Sequence, residues 1–180
     1  MNATRSLAVL LAAMATAAMA QTAEPPALKC PLDAPYDASN LFAQVLRGEV
    51  GRQIVAEDDA FIVLIPLEWD YPGHTLVVPK RAVRSLLDMT PAEMGHALDV
   101  VRQVGKAQMT AFGSTGFSVT QNNGRNQTVC HAHFHVIPNT AKAPSAGAPP
   151  GERDRIAAQL REALGGPRLP SEAAPGIPRR

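Results

Sequence analysis

The stretch from Cys130 to Pro138, CHAHFHVIP, places three of the chain's five histidines at every second position. A β-strand sends alternate side chains to opposite faces. Strand geometry would therefore gather His131, His133 and His135 on one face and Cys130, Ala132, Phe134 and Val136 on the other. The second set is small or apolar and suits a packed interior; the first is chemical. Three solvated histidines on an open strand are a poor account of the pattern, because Val129, Ala132, Phe134, Val136 and Ile137 mark a strand buried on one side. Two chemistries stay open. Neutral imidazoles at alternate positions can reach one metal ion, and a neutral imidazole can attack phosphorus without first losing a proton, helped by its neighbours.

Working outward, the residues on either side read as a small mixed domain. SNLFAQVLRGEV sets Leu41, Phe42, Val45 and Leu46 on one helical face before Gly48. QIVAE, AFIVLIP and HTLVVP are strand-like runs, with turns at Glu57–Asp59 and around Pro72 and Gly73, which predicts an antiparallel meander. TPAEMGHALDVVRQVGKAQM carries a helix signature. Thr90 stands at the N-cap, Pro91 at the first helical position and Glu93 three residues on, while Met94, Ala97, Leu98, Val101 and Val104 recur at helical spacing. GFSVTQ and TVCHAHFHVIP return to strand character across the polar loop Asn122–Gln127. ERDRIAAQLREALGG is an amphipathic helix with Ile156, Leu160 and Leu164 inward and a glycine stop. Strands grouped around a helix, rather than alternating with several, point to an α+β fold with a mostly antiparallel sheet, a long central helix and a C-terminal helix.

The 180 residues begin with a short positive start at Met1–Arg5, an apolar run from Ser6 to Ala17, and Ala18-Met19-Ala20. That is the layout of a secretory signal peptide cut after Ala20, and it places the mature protein in the periplasm or outside the cell. Residues 21–38, rich in Pro and Ala, read as an extended lead-in. Residues 39–164 form the domain, and 165–180 hold too few apolar groups to pack and read as a disordered tail. Without Arg5 the chain has 16 basic and 16 acidic residues. Such neutrality argues against a nucleic-acid polymer or an anionic membrane surface as partner. No further segment is long and apolar enough for a stable membrane anchor. Cys30 and Cys130, the two cysteines, are in an exported chain either a disulfide or two buried thiols. In neither case does strand alternation aim Cys130 at the histidines. His96, on the long helix, reads as surface or helix packing.

HAHFHVI resembles the pattern His-φ-His-φ-His-φ-φ of the histidine triad (HIT) superfamily. LFAQVLRGEV, PGHTLVVPKRAVRSLLDM and QNNG followed by QTVCHAHFHVIP are similar to that family's successive blocks, in order, from about Asn40 to Asn139. The resemblance implies a HIT-like fold, a homodimer, and a hydrolase of nucleotide-like phosphoramidates or phosphoanhydrides acting through a covalent phospho- or nucleotidyl-histidine. It makes His133 the nucleophile, His131 its orienting partner and His135 a donor on the phosphate side. His74 becomes a supporting fourth histidine, and Gln127 a hydrogen-bonding group near the scissile bond. Thr128 and Asn122 become contacts to phosphate or nucleotide. This mechanism calls for no metal and no cofactor, only a small phosphorylated substrate. The alternatives are a nucleotidyl transferase, or a non-catalytic protein holding a phospholigand or a metal.

Three positions depart from the family pattern. The loop from Gly124 to Gln127 is about two residues short, with Asn126 where a glycine is usual. Pro66 stands where many members carry a ribose-binding Asp, leaving Glu68 or Asp70 to supply a carboxylate. The Cys-x-x-Cys of zinc-binding members is replaced by Asn40-Leu41-Phe42-Ala43, which leaves histidines alone as metal ligands.

Overall fold

The computed structural model describes residues 29–67, 71–140, 149 and 151–169. The expected signal peptide, the first part of the lead-in (residues 21–28), and Glu68 to Asp70 lie outside the described residues.

The elements follow the sequence periodicities. α1 (Leu41–Leu46) is capped by Asn40, whose side chain accepts the Ala43 N–H at 3.0 Å. Three strands follow, β1 (Gln53–Glu57), β2 (Phe61–Ile65) and β3 (Thr75–Pro79), and then α2 (Pro91–Phe112). Thr90 and Glu93 close a capping box at the start of α2, and Gly113 ends it in the left-handed conformation, φ 64°. β4 (Phe117–Gln121), β5 (Phe134–Pro138) and α3 (Glu152–Ala163) complete the chain. The sheet runs β1-β2-β3-β5-β4 and every pairing is antiparallel. The fold is α+β.

Period-two alternation divides the sheet cleanly. Val63, Val77 and Phe134 lie in register across β2, β3 and β5 and join the large core under α2 and α3 with Val100, Val104, Ile156 and Leu160. The next register row, Leu64, Leu76 and His135, faces the other way. There Phe42 and Val45 of α1 cover Ile62, Leu64, Leu76 and Val78 in a smaller apolar cluster. The histidines continue this second face, at the edge of the cover that α1 provides.

Three expectations need correction. The histidine strand is shorter than the sequence pattern suggests: β5 begins at Phe134, so only His135 is in the ladder. His131 and His133 lie on the extended run before it, which keeps the alternation without pairing. The described end of the lead-in, residues 29–38, is part of the domain, because Cys30 is fully buried and bonded to Cys130 across 100 residues. Residues 165–169, expected to be disordered, pack against the domain. The Glu57 N–H donates to Pro167 O and the Leu169 N–H to Glu57 O, both at 2.9 Å, and Leu169 is buried in the main core. A single apolar residue in a proline-rich run was too weak a signal to anticipate that packing.

Candidate active site

His131 has no exposed surface and His133 has 2%, so each ring must find its hydrogen-bond partners within the protein. Nε2 of His131 lies 2.8 Å from the Pro79 carbonyl oxygen at the end of β3. A carbonyl only accepts, so Nε2 carries the proton and Nδ1 carries the lone pair. That lone pair receives the Tyr36 hydroxyl at 2.6 Å. His133 is oriented the opposite way. Its Nδ1 lies 2.7 Å from the carbonyl oxygen of His131 and therefore bears hydrogen, leaving the lone pair on Nε2. Phe42 stands edge-on to this ring, centroids 5.0 Å apart.

His135, in β5, stands edge-on to His133 with ring centroids 5.0 Å apart. Its Nδ1 is 2.9 Å from Nε2 of His74, which enters from the turn before β3. Gln108, buried on α2, braces that turn, donating to Gly73 O at 3.0 Å and to Val136 O at 2.9 Å. Four histidines, from β5 with the run before it and from the turn before β3, thus form one row: His131 deepest, then His133, His135 and His74.

Burial pushes His131, His133 and His135 each down to about 4. The carbonyl bonds of His131 and His133 oppose this, and neighbouring imidazoles add to it. All three rings are neutral at neutral pH. A neutral imidazole with Nδ1–H held and Nε2 free is the form of histidine that attacks an electrophile.

His74, His133, His135 and Thr128 line a cavity of about 320 Å³, walled by Phe42, Leu64, Leu76, Pro66 and Leu67 and with Lys29 and Arg52 among its lining residues. A larger hollow of about 1020 Å³ lies between the end of α2, α3 and the end of β5. It holds none of the histidines, so the smaller cavity is the one that carries chemistry.

The structure treats the remaining candidates differently. Gln127 is turned inward, 1% exposed, and donates to the Arg84 carbonyl oxygen at 2.6 Å. Asn122 is not among the residues lining the cavity. Its neighbour Asn123 holds the polar loop instead, accepting the Leu86 N–H at 2.9 Å. His96 is remote, paired with Asp58 at 2.8 Å and edge-on to Phe61. Pro66 lies on the cavity wall. Among the described residues no group of three or more His, Cys, Asp or Glu side chains is arranged to hold a metal ion.

Sequence reasoning missed Tyr36, Phe42, Lys29, Arg52, Arg84 and Gln108. Phe42 and Arg84 lie in stretches already singled out, but nothing in those stretches aims them at the triad, and only long-range folding brings the six residues there.

The sheet order, the α1 cover and the row of histidines define a histidine-triad protein. The HIT domain, as a sequence family, matches residues 47–142, more than half of the chain, and the chain belongs to it. Its fold is similar to the crystal structure of a HIT-like protein from Bartonella henselae. That likeness has a TM-score of 0.68 at 35% identity and covers 73% of this chain and all of the other. Among curated relatives, the adenosine 5'-monophosphoramidase of Schizosaccharomyces pombe is 30% identical over 102 residues, 56% of this chain and 74% of that protein. The asymmetrical bis(5'-nucleosyl)-tetraphosphatase of the same yeast is 34% identical over 91 residues, 49% of this chain and 50% of that one. Some relatives are thus, by name, nucleotide hydrolases.

Proposed function

We propose that this protein hydrolyses nucleotide-like phosphoramidates or phosphoanhydrides through a covalent intermediate on His133. One observation carries the reading: the 2.7 Å contact between His133 Nδ1 and the His131 carbonyl, which leaves the Nε2 lone pair available at the cavity that His133 lines. In the first step Nε2 forms a bond to phosphorus while the bond from phosphorus to the leaving group breaks, and the leaving atom takes a proton. The ring then bears positive charge, which the His131 carbonyl stabilises through Nδ1–H. Water next adds to phosphorus, the P–N bond breaks, a proton is released, and neutral His133 returns.

His135 and Thr128, beside His133 on the cavity wall, are the donors placed for the phosphoryl oxygens. Lys29 and Arg52 add positive charge at the same cavity, and the apolar wall around Phe42 and Leu64 suits a ring. The deciding experiment incubates the mature protein and His133→Ala with adenosine and guanosine phosphoramidates and dinucleoside polyphosphates, following turnover and protein mass. Turnover by the wild type with a labile mass increase, both lost in His133→Ala, is the expected result. Absence of both from the wild type across the panel would leave a phospholigand-binding protein.

Two further properties belong to this reading. The Cys30–Cys130 disulfide supports export, since such bonds persist in oxidising compartments; recovery of the uncleaved chain from the cytosolic fraction would contradict it. Strand β4 is an edge of the sheet with Val119 43% exposed, and α2 presents Leu98 at 57%. An open edge beside exposed apolar groups supports a homodimer, which sedimentation equilibrium would test.

A further inference from the structure

Tyr36 belongs to no strand or helix, yet its hydroxyl is the side-chain group hydrogen-bonded to the His131 ring. The direction of that bond is settled by the Pro79 carbonyl on the other side of the ring, 2.8 Å from Nε2. Nε2 keeps its proton, Nδ1 accepts, and Tyr36 donates. Burial raises the phenol above its ordinary value, so the hydroxyl holds its proton through the neutral range. Both nitrogens of a fully buried ring are thereby satisfied, and turning the ring over would face a lone pair to the Pro79 carbonyl oxygen. The backbone of the same residue supplies the carbonyl that takes Nδ1–H of His133.

The segment that carries Tyr36 is held at both ends. On one side the Cys30–Cys130 disulfide joins it to the residue directly before His131, with Cα atoms 5.3 Å apart. On the other, Asn40 caps α1 and its side-chain amide donates to Asp37 O at 2.6 Å. Between them the buried Arg84 guanidinium donates to the carbonyl oxygens of Ala34 and Pro35. Arg84's own carbonyl receives Gln127. This crosslinked strap is what carries residue 36 to residue 131.

We propose that Tyr36 is a positioning residue for His133, acting through the ring and backbone of His131, and that the Cys30–Cys130 crosslink holds it in place. The proposal rests on the reading of His133 as nucleophile. Removing the Tyr36 hydroxyl leaves the buried Nδ1 of His131 without a donor. His131 then relaxes, the carbonyl that orients His133 moves with it, and the fraction of His133 with a free Nε2 lone pair falls. Because Tyr36 does not line the cavity, binding is spared and the chemical step suffers.

The test compares wild type, Tyr36→Phe, the double variant Cys30→Ala/Cys130→Ala, and the triple variant. For Tyr36→Phe, which keeps the ring and its packing, kcat should fall roughly tenfold with KM within about twofold of wild type. The cysteine variant, its folding verified by circular dichroism, should fall by a similar factor. The triple variant should be no worse than the more impaired of the two, because both changes break one chain of contacts. Nitrogen-15 imidazole spectra report the same events without substrate. Wild type should show His133 protonated at Nδ1, and Tyr36→Phe should show a mixture of tautomers. An unchanged His133 signature in Tyr36→Phe would overturn the proposal, as would losses that multiply in the triple variant. If wild type turned over no substrate, the hydrolase reading would fail while the spectra still decided the role of Tyr36.

Discussion

Nδ1 of His133 lies 2.7 Å from the carbonyl oxygen of His131, so the backbone of one triad histidine sets the tautomer of the next. The spacing of alternate residues makes this contact possible, since residue i+2 returns to the same face. The contact also explains why His131 is buried although it lies behind the cavity wall. Its carbonyl holds Nδ1–H of His133, and its own ring is bonded on both sides, to Tyr36 and to the Pro79 carbonyl.

Activity should have its acid limb near pH 4 and not near 6.5. In the proposed reaction His133 attacks as the neutral ring, and burial holds its pKa at about 4. Raising the pH through that value increases kcat/KM, and a plateau follows through neutrality. The apparent value belongs to the coupled histidines as a group, since His135 is also lowered to about 4. A kcat/KM profile with its midpoint at 6.5 would mean that the rings are solvated before substrate arrives.

Stability should depend on pH over a matching window. His131 and His133 titrate at about 4 in the folded protein, against 6.5 for an ordinary imidazole. Between those values the unfolded chain binds protons that the folded one refuses. The contribution is therefore fully present above pH 6.5 and is lost as the pH falls toward 4. Urea midpoints should be level from pH 8 to 7 and decline steadily from about 6 to 4.5. A flat profile down to pH 5 would refute the burial argument.

Replacing both cysteines by alanine should lower the unfolding free energy by about 2–4 kcal/mol, because the bond closes a long loop in the unfolded chain. The 100-residue separation puts it among the long loops for which the entropic effect is large. Equilibrium urea unfolding of the oxidised wild type and the variant measures the difference. Equal midpoints would show that the strap is already held by Arg84 and the α1 cap.

Two glycines of α2 should respond to alanine with opposite signs. A Cβ on Gly105 would lie 2.3 Å from the Phe117 ring of β4, whereas one on Gly95 would meet nothing within 4 Å. Gly95→Ala should stabilise by about 0.5–1 kcal/mol through helix propensity. Gly105→Ala should destabilise by about 1–3 kcal/mol, since the Phe117 ring packed against the helix must be displaced. Thermal midpoints of the two variants suffice to check both signs.

Much of the fold was legible because it rests on local periods. Thr90, Pro91 and Glu93 announce the start of α2 within four residues, and the apolar alternation of β2 and β3 needs no distant partner to be recognised. The same holds for the shared face of the three histidines, and for His74, whose block precedes an apolar strand. Gln127 shows the limit. Its residue type and place in the chain suit a phosphate contact, but the 3₁₀ turn Gly124–Asn126 rotates it inward to the Arg84 carbonyl. That rotation depends on where residue 84 lies, which no neighbour of Gln127 specifies.

The sequence by itself determined the element types, the antiparallel α+β class and which histidines would stand together, because side-chain period and turn chemistry are properties of a few consecutive residues. Only the tertiary structure decided which nitrogen of each histidine carries its proton, that Cys30 meets Cys130, and that Tyr36 meets His131 across 95 residues. Those outcomes depend on long-range approach within a closed core, where each buried polar atom takes the partner that packing brings to it.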